Sequence, residues 1–317
     1  MMSYFTNTRV QVPAIPVPES NLVSQETYDQ ATLNSSERVT YDGGDDGTPQ
    51  LKDSSKFMRC KRLTIYSTLN ARTLSKQSRQ QELLLCFKQQ KVDILSVQEH
   101  RLYHPDSNLK YTALEDYQLI TSSATKNSQG STIGGVGILL SPRASDNLLS
   151  VEKISNRIII AEFNSNPTTT LIACYSPTNV SEESDVDTFY QDLRGVVESV
   201  PAHNFLVVAG DFNSHVGRHD VPFSYHEETN RNGIKLLDFA EEFQLDLTNT
   251  KFMKKPSKLW TFKHPSGTKS QIDFILTRKK WKNSIRDDET YSSCSSVGSN
   301  HRVVSIHVYL SLRSMYI

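Results

Sequence analysis

Apolar and polar positions along this chain follow two periods, and the switches between them mark out elements. Short runs of apolar and β-branched residues, bounded by Gly, Ser, Asn or Pro, predict strands at 62–69 (RLTIYSTL), 93–98, 117–122, 135–140, 157–163 and 170–175. Helical spacing appears three times. Residues 78–91 put Leu83, Leu84, Cys86 and Phe87 on one face. Residues 185–200 carry Val186, Phe189, Leu193, Val196 and Val197 as a stripe, and 233–243 (GIKLLDFAEEF) form the third helix. The run FLVVA at 205–209 is apolar without alternation, as a strand buried on both faces should be. Short strands follow at 245–248, 259–262, 271–276 and 303–308. Many strands, often consecutive, with only three helices predict an α+β fold. The architecture expected is a layered domain with two packed sheets rather than a simple βαβ repeat.

Residues 1–56 break this pattern. They hold scattered prolines and the run DGGDDG at 42–47, with no sustained period, and are expected to be a disordered acidic tail. One domain is expected over 57–312. Of the 35 basic and 35 acidic residues, the tail takes four and eight, leaving 31 and 27 in the remainder, a net of +4. That mild excess suits a polyanionic substrate without demanding one. Mean hydropathy is −0.47, which agrees with part of the length lying outside a core. The four cysteines, Cys60, Cys86, Cys174 and Cys294, form no CxxC pair. The expectation is no disulfide, no zinc site and a reducing compartment. No apolar run is long enough to span a bilayer, and the N-terminus has no secretory h-region. A nuclear or cytoplasmic monomer is expected.

Chemistry gathers where the strands end. The first strand exits into Asn70 and the second into Glu99. The strand at 170–175 closes on Tyr175, and FLVVA runs through Gly210 into Asp211 and Asn213. Thr261 follows Leu259 and Trp260, Asp273 follows Gln271 and Ile272, and Ser299, Asn300 and His301 precede the last strand. Each alone has a bland reading: GDFN is a strand-ending turn, Glu99 a solvated acid, Tyr175 a core aromatic. Asp273 is the exception, because a carboxylate inside an apolar strand needs a partner, which His301 can supply. If these ends meet at one edge of a two-sheet core they form a polar cleft. It could hold a divalent cation through oxygen ligands and orient a water for attack on phosphorus. His215, His219 and His226 match no metal spacing and read as loop residues, and His100 as structural. Lys254, Lys255, Lys258, Lys263 and Lys269 flank Trp260, either as a solvated hairpin or as a loop gripping DNA phosphates.

The segments LNARTL, QEH, YSPT, GDFN, WTF, QIDFIL and SNHR, in this order, resemble the endonuclease/exonuclease/phosphatase superfamily. The resemblance implies a DNase I-like fold, a four-layer α/β sandwich of two packed, mainly antiparallel sheets flanked by helices. The resemblance covers about 60–310. GDFNSHVG, the stretch ETNRNGIKLLDFAEEFQLDLTNTKF and the pairing of KLWTFKHPSG with QIDFIL most resemble the endonuclease domain of RTE-type non-LTR retrotransposons and host relatives of the craniofacial development protein 2 type. The resemblance implies Mg²⁺, or Mn²⁺ in its place, held by Glu99 with Asn70 beside it. It implies that Asp211 aligns or deprotonates the attacking water and that Asn213 holds the scissile phosphate. Tyr175 would contact that phosphate or the leaving oxygen. His301, oriented by Asp273, would donate to a phosphate oxygen, while Thr261 and Ser299 make lesser phosphate contacts. The family pattern at 299–301 is Ser-Asp-His; here Asn300 stands in place of the aspartate. Asparagine keeps one acceptor oxygen and loses the charge, so weaker metal binding and slower turnover are expected. The substrate expected is DNA, nicked by phosphodiester hydrolysis. The alternatives are another phosphoester, such as RNA or an inositol phosphate, and a weakly active or inactive relic that only binds nucleic acid or protein. The chain ends at residue 317 with no reverse-transcriptase region behind the domain, as expected of a truncated element, a fragment or a domesticated gene.

Overall fold

The computed structural model describes residues 56–58, 60–291 and 298–310. Apart from Lys56, the tail expected at 1–56 lies outside them. Along the chain run β1 (Leu63–Asn70), α1 (Gln77–Gln89), β2 (Ile94–Gln98), β3 (Leu109–Leu114), β4 (Tyr117–Ser122), β5 (Thr125–Lys126), β6 (Thr132–Ile133), β7 (Val136–Leu140), α2 (Pro142–Ser145), β8 (Leu148–Lys153), β9 (Ile158–Phe163) and β10 (Thr169–Tyr175). There follow α3 (Glu183–Ser199), β11 (Phe205–Asp211), α4 (Arg231–Glu242), β12 (Leu245–Leu247), β13 (Phe262–Lys263), β14 (Lys269–Ser270), β15 (Asp273–Arg278), β16 (Ile285–Tyr291) and β17 (Val303–Tyr309). Seven strands form one sheet in the order β16-β17-β1-β2-β7-β4-β3, and six form the other in the order β12-β15-β11-β10-β9-β8. Each sheet holds one parallel pair, β1 with β2 and β10 with β11; the neighbours on either side are antiparallel. A parallel pair needs a crossover connection. The two crossovers are α1 and α3, and they cover the outer faces of the two sheets.

Period-two alternation then sorts the side chains into layers. On β11, Val207 and Ala209 face the other sheet, while Leu206 and Val208 face α3 and α4. On β1, Tyr66 points between the sheets and Ile65 and Leu69 point toward α1. The helical stripe Leu83, Cys86 and Phe87 packs on that outer face. The expected four layers are therefore present, with the inter-sheet core in the middle. Burying each large apolar side chain of these stripes contributes roughly 1.5–3 kcal/mol.

The differences from expectation concern polar strands. β3, β8 and β16 read as loops because they are edge strands carrying charged or alternating polar residues. The strand expected at 259–262 shrinks to Phe262–Lys263; Leu259, Trp260 and Thr261 are buried ahead of it. The expectation of four reduced cysteines is corrected: Cys86 is disulfide-bonded, to a partner outside the described residues, while Cys60 and Cys174 are free. Small size and an apolar run made Cys86 look like ordinary core. Among the described residues, no helix is long and apolar enough to cross a membrane.

Candidate active site

The alternation that fills the core also delivers the polar groups. Asp211 follows Val207 and Ala209 on the inward-facing row of β11. Asp273 shares the parity of Ile275 on β15, and Tyr175 that of Leu171 and Ala173 on β10. Strand register aligns the three, because Tyr175 pairs with Asp211 and Asp211 with Asp273. From the opposite sheet, Asn70 shares the inward parity of Tyr66. Glu99 leaves β2 on a left-handed turn, with φ of 51°, and Asn213 sits on a similar turn with φ of 48°. Non-glycine residues held in this region carry strain, which concentrates at functional sites.

These ends meet. Asn70 Nδ2 donates to Glu99 Oε1 and to Asp211 Oδ2, each at 2.9 Å. The Tyr175 hydroxyl donates to Glu99 Oε1 at 2.8 Å, and Arg101 Nη2 to Glu99 Oε2 at 2.8 Å. The second Asp211 oxygen accepts the Asn213 amide at 2.9 Å. His301 Nδ1 lies 3.0 and 3.2 Å from the two oxygens of Asp273, and its Nε2 lies 4.0 Å from Asp211 Oδ2. A continuous polar chain thus runs from Glu99 through Asn70, Asp211 and His301 to Asp273. A cleft of about 340 Å³ opens beside it, lined by Glu99, Arg101, Gly134, Arg157 and Tyr175 among others.

Environment splits the two carboxylates that share Asn70. Burial pushes the Glu99 carboxyl up, but hydrogen bonds from Asn70, Arg101 and Tyr175 outweigh it, and its pKa falls below the ordinary range. Burial also pushes Asp211 up, and the nearby Asp273 charge adds to it; His301 and the amide donors offset this only in part, so Asp211 titrates well above an ordinary aspartate. Burial opposes a charged His301, yet Asp273 and Asp211 more than compensate, and its pKa is raised. Burial, aided by Asp211 and Glu99, raises the Tyr175 phenol, which keeps its proton and acts as a donor.

The remaining candidates hold the frame. Thr261 Oγ1 is buried and accepts the amides of Ile272 and Asp273 at 3.0 and 3.2 Å. Ser299 Oγ donates to the Asn70 carbonyl at 2.6 Å and accepts the His301 amide at 3.0 Å. Asn300 Oδ1 accepts from Arg72 Nη1 at 2.6 Å. Asn213 Nδ2 donates to the Ser176 carbonyl at 2.9 Å. His100 is buried, with Nδ1 accepting the Leu102 amide at 3.0 Å and Nε2 without a hydrogen-bond partner among the described residues.

Sequence reasoning missed three arginines. Arg101 pairs with Glu99, Arg72 with Asn300, and Arg157 stacks its guanidinium 5.4 Å from the Tyr175 ring centre while donating to the Tyr175 carbonyl at 3.2 Å. Arg101 and Arg72 each gave a signal, standing two residues after Glu99 and Asn70. Also unforeseen is the parallel stack of His215 on His226, with ring centres 3.7 Å apart.

Glu99 supplies a carboxylate, and Asn70 and Asn300 supply carboxamide oxygens that here accept from Arg72; ligand atoms of these types fit a hard cation such as Mg²⁺. Asp211, Asp273 and His301 also bring ligand atoms within 4.8 Å of one another. Of these, Asp273 and His301 Nδ1 already satisfy each other.

Comparison with known proteins agrees with the fold. A family model described as endonuclease-reverse transcriptase matches residues 169–305, which include every candidate residue except Asn70 and Glu99. Craniofacial development protein 2 of Bos taurus is 27% identical over 280 residues, covering 82% of this chain and 43% of its own length. This chain therefore spans less than half of that relative. The AP endonuclease of Leishmania major superposes with a TM-score of 0.62 at 12% identity, over 79% of this chain and 89% of that one. The endonuclease domain of TRAS1, a telomere-specific non-LTR retrotransposon, gives 0.56 at 15% identity, over 78% and 100%. Over residues 169–305 and in its fold, the chain is similar to the endonuclease/exonuclease/phosphatase superfamily. The α+β sandwich is the fold that these neighbours share with it.

Proposed function

We propose that this chain is a divalent-metal-dependent phosphodiesterase whose substrate is DNA, nicked as a retrotransposon-type endonuclease would nick it. One observation carries the reading: Glu99, Asn70, Asp211, His301 and Asp273, drawn from both sheets, form one connected polar chain. The proposal also takes support from the AP endonuclease and retrotransposon endonuclease whose folds this chain shares. Glu99 and Asn70, with Asn300 nearby, would hold Mg²⁺ or Mn²⁺. When bound, the cation supplies charge neutralisation at the phosphate and the departing oxygen.

The protein groups divide the remaining work. Asp211, with its raised pKa, takes a proton from the attacking water near neutral pH. The water oxygen bonds to phosphorus as the bond to the leaving oxygen breaks. His301 is held by Asp273 through Nδ1, so its Nε2 faces the cleft as a donor to a phosphate oxygen. Tyr175 and Asn213 donate to the phosphate or the leaving oxygen, and Thr261 and Ser299 fix the backbone of Asp273 and His301. Asn300 places an uncharged group where the family pattern has an aspartate, so weaker cation binding is expected. Nicking of supercoiled plasmid tests the reading: it should need divalent metal and vanish in EDTA and in Glu99→Ala. Persistence in EDTA would overturn it, and release of phosphate from an inositol phosphate without plasmid nicking would reassign the substrate.

A further inference from the structure

The hairpin β13–β14 and the segment carrying His301 are joined as one unit. Backbone hydrogen bonds run from Lys263 N to Asn300 O at 3.0 Å and from Arg302 N to Thr261 O at 2.7 Å, bracketing His301. Phe262 pairs with His301 across this bridge, with ring centres 4.7 Å apart. Arg302 lies over Trp260, its guanidinium carbon 3.1 Å from the ring centroid, and its Nη1 donates to the Ser257 carbonyl at 2.8 Å. Trp260 itself is buried, with Lys269 Nζ 4.9 Å from its ring centre. On the other side, Thr261 caps the amides that precede the Asp273 carboxylate. The hairpin's outer surface carries the exposed Lys263 and Lys269.

We infer that Trp260 and Arg302 are positioning residues that clamp the basic hairpin to His301, so that a polyanion held by the hairpin and the imidazole that meets the phosphate move as one body. The inference rests on the catalytic reading of His301. A guanidinium over an indole ring is drawn to the ring's negative face and fixes two side chains in one geometry. Neither group reaches the phosphate in this account; they act through His301.

The test uses the whole chain and two substrates, supercoiled plasmid and a small activated phosphodiester too short to reach the hairpin. Arg302→Leu should lower kcat about tenfold on both, with KM on the small substrate unchanged, and Arg302→Lys should restore most of it. Lys263→Ala with Lys269→Ala should impair plasmid alone. In a His301→Ala background, Arg302→Leu should cost nothing further. An equal loss with and without His301 would overturn the clamp, as would Arg302→Leu impairing plasmid alone. A second readout does not need turnover. The side-chain nitrogen NMR signals of His301 should shift in Arg302→Leu and return in Arg302→Lys; signals unchanged in Arg302→Leu overturn the clamp even if no phosphodiester is cut. Absence of wild-type activity with that shift present would fault the catalytic reading and leave the clamp standing.

Discussion

The two halves of the cleft treat a carboxylate in opposite ways. Glu99 and Asp211 both accept from one Asn70 nitrogen at 2.9 Å, yet Glu99 is driven below the ordinary carboxylate range and Asp211 above it. The difference lies in their company. Glu99 sits at a strand exit with Arg101, Tyr175 and Asn70 all donating to it, so its charge is welcome. Asp211 is inside the sheet register beside a second buried acid, so its charge is resisted. Paired groups pushed apart in this way mark an acid–base division of labour. In the mechanism proposed above, Glu99 stays charged and attracts a cation, and Asp211 exchanges a proton.

The largest expected effects break one half outright. His301→Ala should lower kcat about a thousandfold, within the usual range for a lost acid or base. Glu99→Ala should abolish metal-dependent nicking by removing the charged half. Plasmid nicking measures both, and a loss below tenfold in either would contradict the division.

Asp273→Asn attacks the frame of the proton-handling half. Asparagine keeps the shape but cannot hold the Nδ1 proton as a carboxylate does, so kcat should fall by about 10²–10⁴-fold. Because Asp273 and His301 are both buried, removing one partner should also cost up to about 3–5 kcal/mol, which urea denaturation would measure. A variant as stable and as active as the parent would show that the imidazole is held by other contacts.

pH separates the halves without mutation. Asp211 has a folded pKa raised above its unfolded value, so the folded form holds the proton more tightly. In metal-free protein its stabilising contribution is fully present below the unfolded pKa and is lost as pH rises through the folded one. Glu99, with a depressed pKa, behaves in reverse: its contribution is present above the unfolded value and is lost as pH falls through the folded one. Asp211→Asn should therefore flatten the decline on the alkaline side of the carboxylate range, while Glu99→Gln flattens that on the acidic side. Thermal unfolding across pH in EDTA checks both signs, and kcat should rise with pH through the Asp211 titration.

Much of this cleft was legible before any coordinates, and the reason is parity. A strand buried on both faces is a continuous apolar run, so a polar residue at its end stands out. Asp211 and Asp273 were readable for that reason, and Asp273 with His301 followed from the need of a buried carboxylate for a partner. Arg157 was not readable, since it meets Tyr175 only through the pairing of β9 with β10, and Arg72, though inside LNARTL, has its partner Asn300 far along the chain. The strands β3, β8 and β16 were hidden by their charged edge positions. The disulfide at Cys86 was hidden because a half-cystine on a helical stripe looks like any small apolar residue.

Asn300→Asp sharpens the charged half. The Asn300 oxygen faces Arg72 at 2.6 Å, so an aspartate there would add a charge next to an existing cation, and part of its effect would be absorbed by that pair. The half-saturating Mg²⁺ concentration for nicking should still fall several-fold, with a smaller rise in kcat at saturating metal. Titration calorimetry with Mn²⁺ gives the same comparison without turnover. If neither rate nor metal requirement moves, the missing family aspartate is not what limits this cleft.

The smallest expected effect lies at the rim. Lys254 is tied to Asp287 at 2.6 Å and is spent within the fold, whereas Lys263 and Lys269 are exposed on the hairpin. Replacing either exposed lysine by alanine should weaken DNA binding modestly and uniformly across sequences. Each should also reduce the slope of log affinity against log salt by about one. Lys254→Ala should leave that slope unchanged while lowering stability slightly, because its partner is a half-exposed acid. Equal slopes in all three variants would mean that DNA does not reach the hairpin, and that the work of binding is confined to the two halves of the cleft.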